Sequence, residues 1–340
     1  MEALVPWSTV LRFADPLACQ NAIQGIDAAE VLPTEKGKFD SEITKIRFDR
    51  LWMQRFRSSL PQVITITHKP DRRAITFLTE SKSPTMLYCA IEALPGDIVI
   101  NRSDVAHWRF DGDTRYGAMS LPTEELKAAV EAVAGREFSD TKSKYIIRPD
   151  PALMSRLLAL HQGVGQLAHD VPRILELPEV GRALEEQLIH LMVRCLAEGA
   201  ALKTTHGRQK HDLIMNKFED FLEANPERPI YLTEICAAIA VAERTLRAAC
   251  EERLGMGPIR FLNLRRMHLV RRSLLSADAN KTNVTHVVTD HGFWELGRFS
   301  VAYRKLFGES PSETLRRRAE LPETSDRPTA LPIDLLEHRA

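Results

Sequence analysis

The sequence predicts an α+β protein in which a strand-rich N-terminal barrel or jelly roll, accompanied by helices, is followed by an all-α segment. Three observations predict this fold class. Short β-branched segments separated by turn residues extend to about residue 121, helical spacing begins after Leu121-Pro122, and a two-helix pattern occurs twice between residues 211 and 318. A chain of 340 residues is long enough for more than one domain.

The pattern typical of β-strands begins near Ile43. The predicted strands are rich in β-branched residues and partly alternate between apolar and polar side chains; they are Gln62–His68, Arg73–Thr79, Thr85–Ile91 and Asp97–Ile100. Turn residues such as Lys69-Pro-Asp71 and Pro95-Gly-Asp97 bound them. Several short strands with turns every 8–12 residues or so indicate a small barrel or a jelly roll.

After Pro122 the spacing predicts helices over 123–133, 152–169, 179–198 and 211–223, with Gly163-Val-Gly165 interrupting the second. One apolar stripe on the third helix consists of Leu184, Leu188, Leu191, Met192 and Cys195. Two interpretations of this stripe stay open, the core of its own domain and the seam of a homodimer. Residues 203–208 are polar and predict a linker, and three prolines within 321–340 predict a flexible tail.

Residues 232–254 have the plan of a helix-turn-helix unit, which joins two short helices by a tight turn. A helix over 232–239 is followed by the turn 240–242 and by a second helix over 243–254, which ends at Gly255. The second helix directs Leu246 inward and places Arg244 and Arg247 on its opposite stripe. Arginine suits a major groove because its fork can bond O6 and N7 of guanine together.

The same pattern returns about 52 residues later. Asn283 is a good N-cap for a helix that begins at Val284, and His291-Gly-Phe293 forms the turn. The second helix, from about Glu295 to Phe307, is predicted to bury Phe299, Ala302 and Tyr303. A helix over about 258–275 joins the two units, and two copies at this spacing are a much stronger signal than one.

The charge distribution agrees with a nucleic-acid partner for this segment. The chain as a whole is neutral, but residues 208–318 contain 19 lysines and arginines against 14 aspartates and glutamates. A basic segment is thus joined to an acidic remainder, as expected when one domain binds nucleic acid and another does not.

The motifs within 211–318 resemble the arabinose-operon regulator (AraC/XylS) family; they are Arg244-Thr-Leu246, Pro258, the run 263–275, Gly292-Phe-Trp294, Gly297-Arg-Phe299 and Phe307-Gly-Glu-Ser-Pro311. The resemblance implies a seven-helix DNA-binding domain with two recognition helices on one face of the duplex. The strand-rich segment, with Leu94-Pro-Gly-Asp97 and Ser120-Leu-Pro122, resembles the cupin-like effector domains of one branch of this family.

The resulting division is a cupin-like effector domain at 1–121, a helical dimerisation or connector region at 122–204, a double helix-turn-helix domain at 205–320 and a tail at 321–340. The expected partners are double-stranded promoter DNA, RNA polymerase, a small organic effector and a second copy of the chain, with no cofactor. No apolar run is long enough to span a bilayer and the N-terminus lacks a signal pattern, so we expect a cytoplasmic protein without a membrane partner. A regulator without small-molecule control is an open alternative.

The outward stripes of the two second helices supply the predicted DNA contacts. The residues expected to read bases are Arg244, Thr245, Arg247, Ala248, Glu251, Leu296, Gly297, Arg298, Ser300 and Val301, and those expected at phosphates are Arg304, Lys305, Arg316 and Arg317.

This sequence departs from the family pattern at three positions. Ala240 and Ala242 stand where the family usually has glycine and a capping serine, which would leave the first recognition helix without its cap. Val301 stands where many members have a base-reading arginine, so the second unit is expected to contribute apolar or backbone contacts.

A rival class is a cupin-type enzyme with an accessory helical domain. Cupin enzymes bind metals with histidines, and His68 and His107 lie in the strand-rich region. Neither belongs to a His-x-His pair with a following glutamate, so packed or surface histidines are the simpler interpretation and no metal is expected. The polar residues Thr65, Thr67, His68 and Trp108 instead suggest an effector site inside or beside the barrel.

Overall fold

The computed structural model describes residues 6–101, 105–135, 146–202, 206–225, 229–278, 281–317 and 323–324. The strands are β1 (Trp7–Phe13), β2 (Ile26–Pro33), β3 (Ser41–Arg47), β4 (Trp52–Ser58), β5 (Gln62–His68), β6 (Arg72–Leu78), β7 (Met86–Tyr88), β8 (Ile91–Ala93), β9 (Ile98–Ile100), β10 (Val105–Phe110), β11 (Thr114–Pro122), β12 (Ile146–Arg148), β13 (Ala200–Leu202) and β14 (Glu323–Thr324). The helices are α1 (Pro16–Asn21), α2 (Thr123–Ala134), α3 (Pro151–Asp170), α4 (Pro172–Leu175), α5 (Pro178–Glu198), α6 (His206–Glu223), α7 (Leu232–Ala238), α8 (Glu243–Leu254), α9 (Pro258–Ser276), α10 (Val284–Asp290), α11 (Leu296–Phe307) and α12 (Pro311–Arg316).

The strands form two antiparallel sheets, which confirms the predicted α+β class. Within the described ranges, the larger sheet has the order β13-β12-β9-β6-β11-β4-β3-β1-β14, and the smaller one the order β2-β5-β10-β7-β8. The two sheets enclose one apolar core, to which β4, β10 and β11 contribute Phe56, Trp108 and Tyr116. The predicted tail lies outside the described residues except at 323–324, which pair with β1.

The strand predicted over 85–91 is in fact two strands joined by a two-residue turn. β7 pairs with β8, and the turn residues Cys89 and Ala90 have φ of 49° and 63°. Both central residues of a type I′ hairpin turn need positive φ, a conformation that usually selects Asn-Gly. Because this sequence lacks that signal, the turn was not recognisable from composition.

Helices α2 to α5 cover the outer face of the larger sheet. Leu188, Met192 and Cys195 of α5 are buried in a core shared with strand residues such as Met53. The stripe predicted on this helix is therefore intrachain core, and its alternative interpretation as a dimer seam is wrong.

Helix α3 runs without a break from Pro151 to Asp170, so the predicted interruption at Gly163-Val-Gly165 is also wrong. Gly165 is where the helix meets the sheet, since a Cβ there would lie 2.3 Å from Cδ of Arg55. Arg55 Nη1 donates to the carbonyl oxygen of His161 at 3.2 Å. The glycine thus makes room for an arginine that joins β4 to α3.

The C-terminal helices pack on the smaller sheet. Leu32 of β2 and Val63 of β5 share a core with Phe218 of α6, Leu246 of α8 and Phe261 of α9. A further core holds the second half of α9 together with α10 and α11. In the part of the chain that the structure describes, no helix has the length and apolarity needed to cross a membrane.

Candidate nucleic-acid interface

The first helix-turn-helix unit consists of α7, the turn 239–242 and α8. Ala240 has a φ of 55°, in the left-handed region that favours glycine. Ala242 occupies the N-cap position of α8 in an extended conformation and makes no side-chain hydrogen bond to the helix. The two alanines therefore stand where a glycine and a capping side chain would stabilise the unit.

Helix α8 presents a polar face to solvent. Leu246, Ala249 and Cys250 are buried. Four of the predicted base-reading residues are exposed and a fifth, Thr245, is half-buried; the exposed ones are Arg244, Arg247, Ala248 and Glu251. Arg247 Nη2 lies 2.9 Å from Oε1 of Glu243, one turn earlier on the same face.

The second unit consists of α10, the turn 291–295 and α11. Asn283 caps α10, since its side chain accepts a hydrogen bond from the His286 N–H at 2.9 Å. Phe299 and Tyr303 are buried as predicted, but Ala302 is exposed and its predicted burial is wrong. The rings of Phe293, Phe299, Tyr303 and Phe307 fill this small core without it.

The outward face of α11 is less polar than that of α8. Gly297, Arg298, Ser300 and Val301 are exposed, whereas Leu296 is half-buried and packs against the core of the second unit. Arg298 lies 2.7 Å from Glu295.

The four residues predicted at phosphates are all exposed. Arg304 and Lys305 lie in the last turn of α11, and Arg316 and Arg317 lie at the end of α12. Arg317 Nη2 is 3.4 Å from Oε2 of Glu309.

Helix α9 holds the two units together through Arg266. This side chain donates to the carbonyl oxygen of Ile230, just before the first unit, at 3.0 Å. Its guanidinium carbon also lies 5.4 Å from the centre of the Phe293 ring, in the turn of the second unit. One arginine thus contacts the residue segment just before the first unit and the turn of the second.

Other arginines of α9 bind the N-terminal domain rather than solvent. Arg265 Nε lies 3.0 Å from Oε1 of Glu30 on β2. Arg271 pairs with Asp15, the N-cap of α1, and lies 3.5 Å from Glu309 near the second unit. The sequence contains these arginines as a basic run, but nothing in the run indicates which of them serve the domain interface.

A buried ion pair also joins strand β10 to helix α6. His107 Nε2 on β10 lies 2.8 Å from Oε1 of Glu219 on α6, and both side chains are less than 5% exposed. Burial by itself would lower the pKa of His107, but the Glu219 carboxylate and a hydrogen bond with Cys89 outweigh it and raise the pKa to about 9. The histidine is therefore charged at neutral pH.

A pocket lies between the two sheets; its empty volume of about 540 Å³ includes open solvent at its mouth, and the centre of a water molecule fits within only about 40 Å³ of it. Its lining combines aromatic rings with uncharged polar groups; these residues include Trp52, Phe56, Trp108, Phe110, Tyr116, Gln24, Gln54, Thr76, Asn101 and Ser120. His68 and Trp108 line it as predicted, whereas Thr65 and Thr67 do not.

The strands β5 and β10 separate this cavity from the C-terminal helices. Side chains alternate between the two faces of a strand, so Trp108 and Phe110 line the cavity while His107 and Arg109 point away from it. His107 reaches Glu219, and a Cβ at Gly255, the C-cap of α8, would lie 2.2 Å from Nη1 of Arg109. One layer of backbone thus has the cavity on one side and the first unit on the other.

The same register separates the two histidines that could have suggested a metal centre. His107 is paired with Thr65, so it shares a face with Thr65, whereas His68 lies on the cavity face. Among the described residues, no three His, Cys, Asp or Glu side chains form a group that could hold a metal ion. The five cysteines have free thiols.

A family model described as a helix-turn-helix domain matches residues 235–317. The probable thc operon regulatory protein of Rhodococcus erythropolis is 31% identical over 179 residues, which cover 49% of this chain and 54% of that protein. The XylDLEGF operon transcriptional activator 1 of Pseudomonas putida is 37% identical over 98 residues, or 29% of this chain and 30% of that protein. This chain therefore spans about half or less of these relatives.

Among solved structures, the AraC-like transcriptional activator CuxR is 14% identical and is matched over 83% of this chain and 99% of its own, with a TM-score of 0.42.

Proposed function

We propose that this chain, whose C-terminal part belongs to the AraC/XylS family of helix-turn-helix domains, is a sequence-specific regulator of transcription under the control of a small molecule. The match over 235–317 and the two operon regulators confirm the resemblance of residues 211–318. The observation that carries the proposal is that α8 and α11, each with an exposed face, are held on one frame by α9 and Arg266.

The tandem arrangement sets the size of the DNA site. Helix α9 has 19 residues, which corresponds to a length of about 28 Å. Recognition helices that enter successive major grooves must lie near one helical turn apart, roughly 34 Å. One subunit would therefore cover about two turns of duplex, and its two half-sites would differ because the faces of α8 and α11 differ.

The base contacts that we propose are those predicted from the sequence. On α8, Arg244 and Arg247 would bond guanine, with Thr245, Ala248 and Glu251 beside them. On α11, Gly297, Arg298, Ser300 and Val301 would face the groove, with Leu296 at the edge of the contact because it is half-buried. Arg304, Lys305, Arg316 and Arg317 would bind phosphates.

The cavity between the sheets is the proposed effector site. Charged ligands are disfavoured, because the lining side chains within the described residues include no Asp, Glu, Lys or Arg and an unpaired buried charge is costly. The stacked rings of Phe56 and Tyr116, whose centres are 4.5 Å apart, favour a flat apolar ligand. Gln24, Asn101 and Thr76 can supply hydrogen bonds. An uncharged aromatic molecule fits this chemistry best.

The effect of the ligand would be transmitted through strands β5 and β10, which have the cavity on one face and the first unit on the other. A ligand that moves Trp108 also moves the neighbouring His107 and Arg109, which contact α6 and the end of α8. Effector binding would thereby shift the position of the first recognition helix. Such control requires only that the ligand bind the two arrangements with different affinity.

We further propose domain boundaries at 121/122 and 204/205, a cytoplasmic location, and contacts with RNA polymerase and with a second subunit. A homodimer would need a surface other than the buried stripe of α5. The Pseudomonas relative is named as an activator, so activation is the expected sign of regulation.

The test is the selection of binding sites from a random duplex library by the full chain, followed by footprinting. We expect protection of about two helical turns and salt-sensitive affinity. Arg247→Ala should lose about 1–3 kcal/mol on the selected site and little on random DNA. The matched control is Arg194→Ala, because Arg194 makes an i,i+4 pair with Glu198 at 2.6 Å on α5, a helix that belongs to neither helix-turn-helix unit.

Two results would contradict the proposal. If the library yields no preferred sequence, the chain is not a sequence-specific regulator. If the full site is a short palindrome with one recognition helix per half, DNA binding stands but the tandem arrangement does not.

A further inference from the structure

Two large apolar side chains of the second unit are exposed to solvent. Trp294 is 74% exposed and Val301 is 72% exposed, the highest values for large hydrophobic residues among those that the structure describes. Trp294 directly precedes Glu295, the N-cap of α11, and Val301 lies on the outward face of the same helix. Recognition helices meet base edges with their N-terminal residues, so Trp294 stands at the end that DNA would approach, and Val301 lies further along the outward face.

The core of the second unit does not need either side chain. Phe293 packs on Phe299 with ring centres 4.8 Å apart, and Tyr303 packs on Phe307 at 4.6 Å. These rings fill the core, while the neighbouring Trp294 stays outside it. Two exposed apolar side chains on the outward side of one recognition helix offer a surface that a partner can cover.

The polar groups between them are largely occupied. Ser300 Oγ donates to the carbonyl oxygen of Leu296 at 2.9 Å, and Arg298 is paired with Glu295. Gly297 leaves a shallow profile here, since a Cβ at this position would meet nothing within 4 Å. A groove floor can therefore approach this face closely, and it would meet Trp294 and Val301 beside the exposed Arg298 and Ser300.

We infer that the second unit reads thymine through its C5-methyl group, with Val301 and Trp294 as the contacting side chains. The thymine methyl is the one apolar group that a base pair presents in the major groove, and apolar side chains recognise it. The inference rests on the proposed function, because it concerns the half-site of α11 in a tandem DNA site. In this arrangement α8 reads guanine by hydrogen bonds, and α11 reads thymine by apolar contact.

The experiment replaces thymine by deoxyuridine in the α11 half of a site selected by the full chain. Deoxyuridine keeps every hydrogen-bonding group and lacks only the methyl. We expect binding to weaken about fourfold for each contacted methyl, the effect of one buried carbon group. In Val301→Ala or Trp294→Ala the penalty at the matching position should disappear, whereas Val133→Ala, an exposed valine on α2, should keep it.

Because both side chains are exposed, neither substitution should lower the thermal midpoint, and that measurement excludes misfolding as the cause. The inference is overturned if deoxyuridine binds as well as thymine, or if the penalty persists in both variants. It is also overturned if Trp294→Ala binds DNA normally but fails to activate transcription, since the side chain would then contact RNA polymerase. A library that yields no preferred site removes the premise, and this outcome is distinct because Arg247→Ala would then also be without effect.

Discussion

Replacement of His107 by Gln should remove a pH-dependent part of the chain's stability. His107 and Glu219 are buried between the two domains at 2.8 Å, and the pKa of His107 is raised from 6.5 to about 9. A raised folded-state pKa means that the native chain holds this proton more tightly than the unfolded chain. The contribution is fully present below about pH 6.5 and is lost as the pH rises through about 9.

A shift of this size corresponds to an upper bound of about 3 kcal/mol. Cys89 titrates next to His107: burial would raise its pKa, but the hydrogen bond with His107 and the nearby Arg253 lower it from 9.0. The two groups therefore titrate together, and Cys89→Ser is the background in which His107 is best measured.

The assay is urea unfolding of the full chain between pH 6 and pH 9, with and without His107→Gln in the Cys89→Ser background. Without the histidine substitution, the free energy of unfolding should fall with rising pH across this window. The substituted chain should be less stable at pH 6, because Glu219 keeps a buried carboxylate without its cation, and its pH dependence should be weaker. Glu219→Gln should flatten the profile in the same way. Parallel profiles for the chains with and without His107 would refute the reasoning.

Three further predictions concern separate parts of the molecule. Ala242→Ser should raise the free energy of unfolding by about 1 kcal/mol, since it adds the missing N-cap of α8; no gain in urea unfolding would show that the helix start is already satisfied. Ala118→Phe should fill the cavity, so that the promoter loses its response to the inducing condition while footprints on DNA stay unchanged; a retained response would exclude the cavity as the effector site. The fragment 205–320 should fold and bind DNA without effector control, although with lower stability, because Leu32 and Val63 complete its core; an unfolded fragment in circular dichroism would contradict this.

The C-terminal domain was predictable from the sequence because its signals are local. Helical spacing, the cap at Asn283 and the glycine at Gly255 act within one or two turns of chain, and α8 begins and ends where predicted. The exposed faces followed from the same period, with Ala302 as an exception because aromatic rings already fill the core beside it. In the N-terminal part, the strand over 62–68 was predicted with its bounds, whereas β1 and β2 lack a pattern strong enough to identify them.

The contacts between the N-terminal and C-terminal parts could be seen only in the tertiary structure. Nothing near His107 in the sequence indicates Glu219, which is 112 positions away, and nothing in the basic run of α9 shows that Arg265 meets Glu30. The interruption predicted at Gly163-Val-Gly165 was wrong for the same reason. Gly165 leaves room for the side chain of Arg55, which lies on a strand distant in the sequence. The periodicity of the sequence indicates which face of a helix or strand is buried, but chain topology determines what that face packs against. For that reason the cavity, and the strands β5 and β10 that lie between it and the first unit, appear only in the folded molecule.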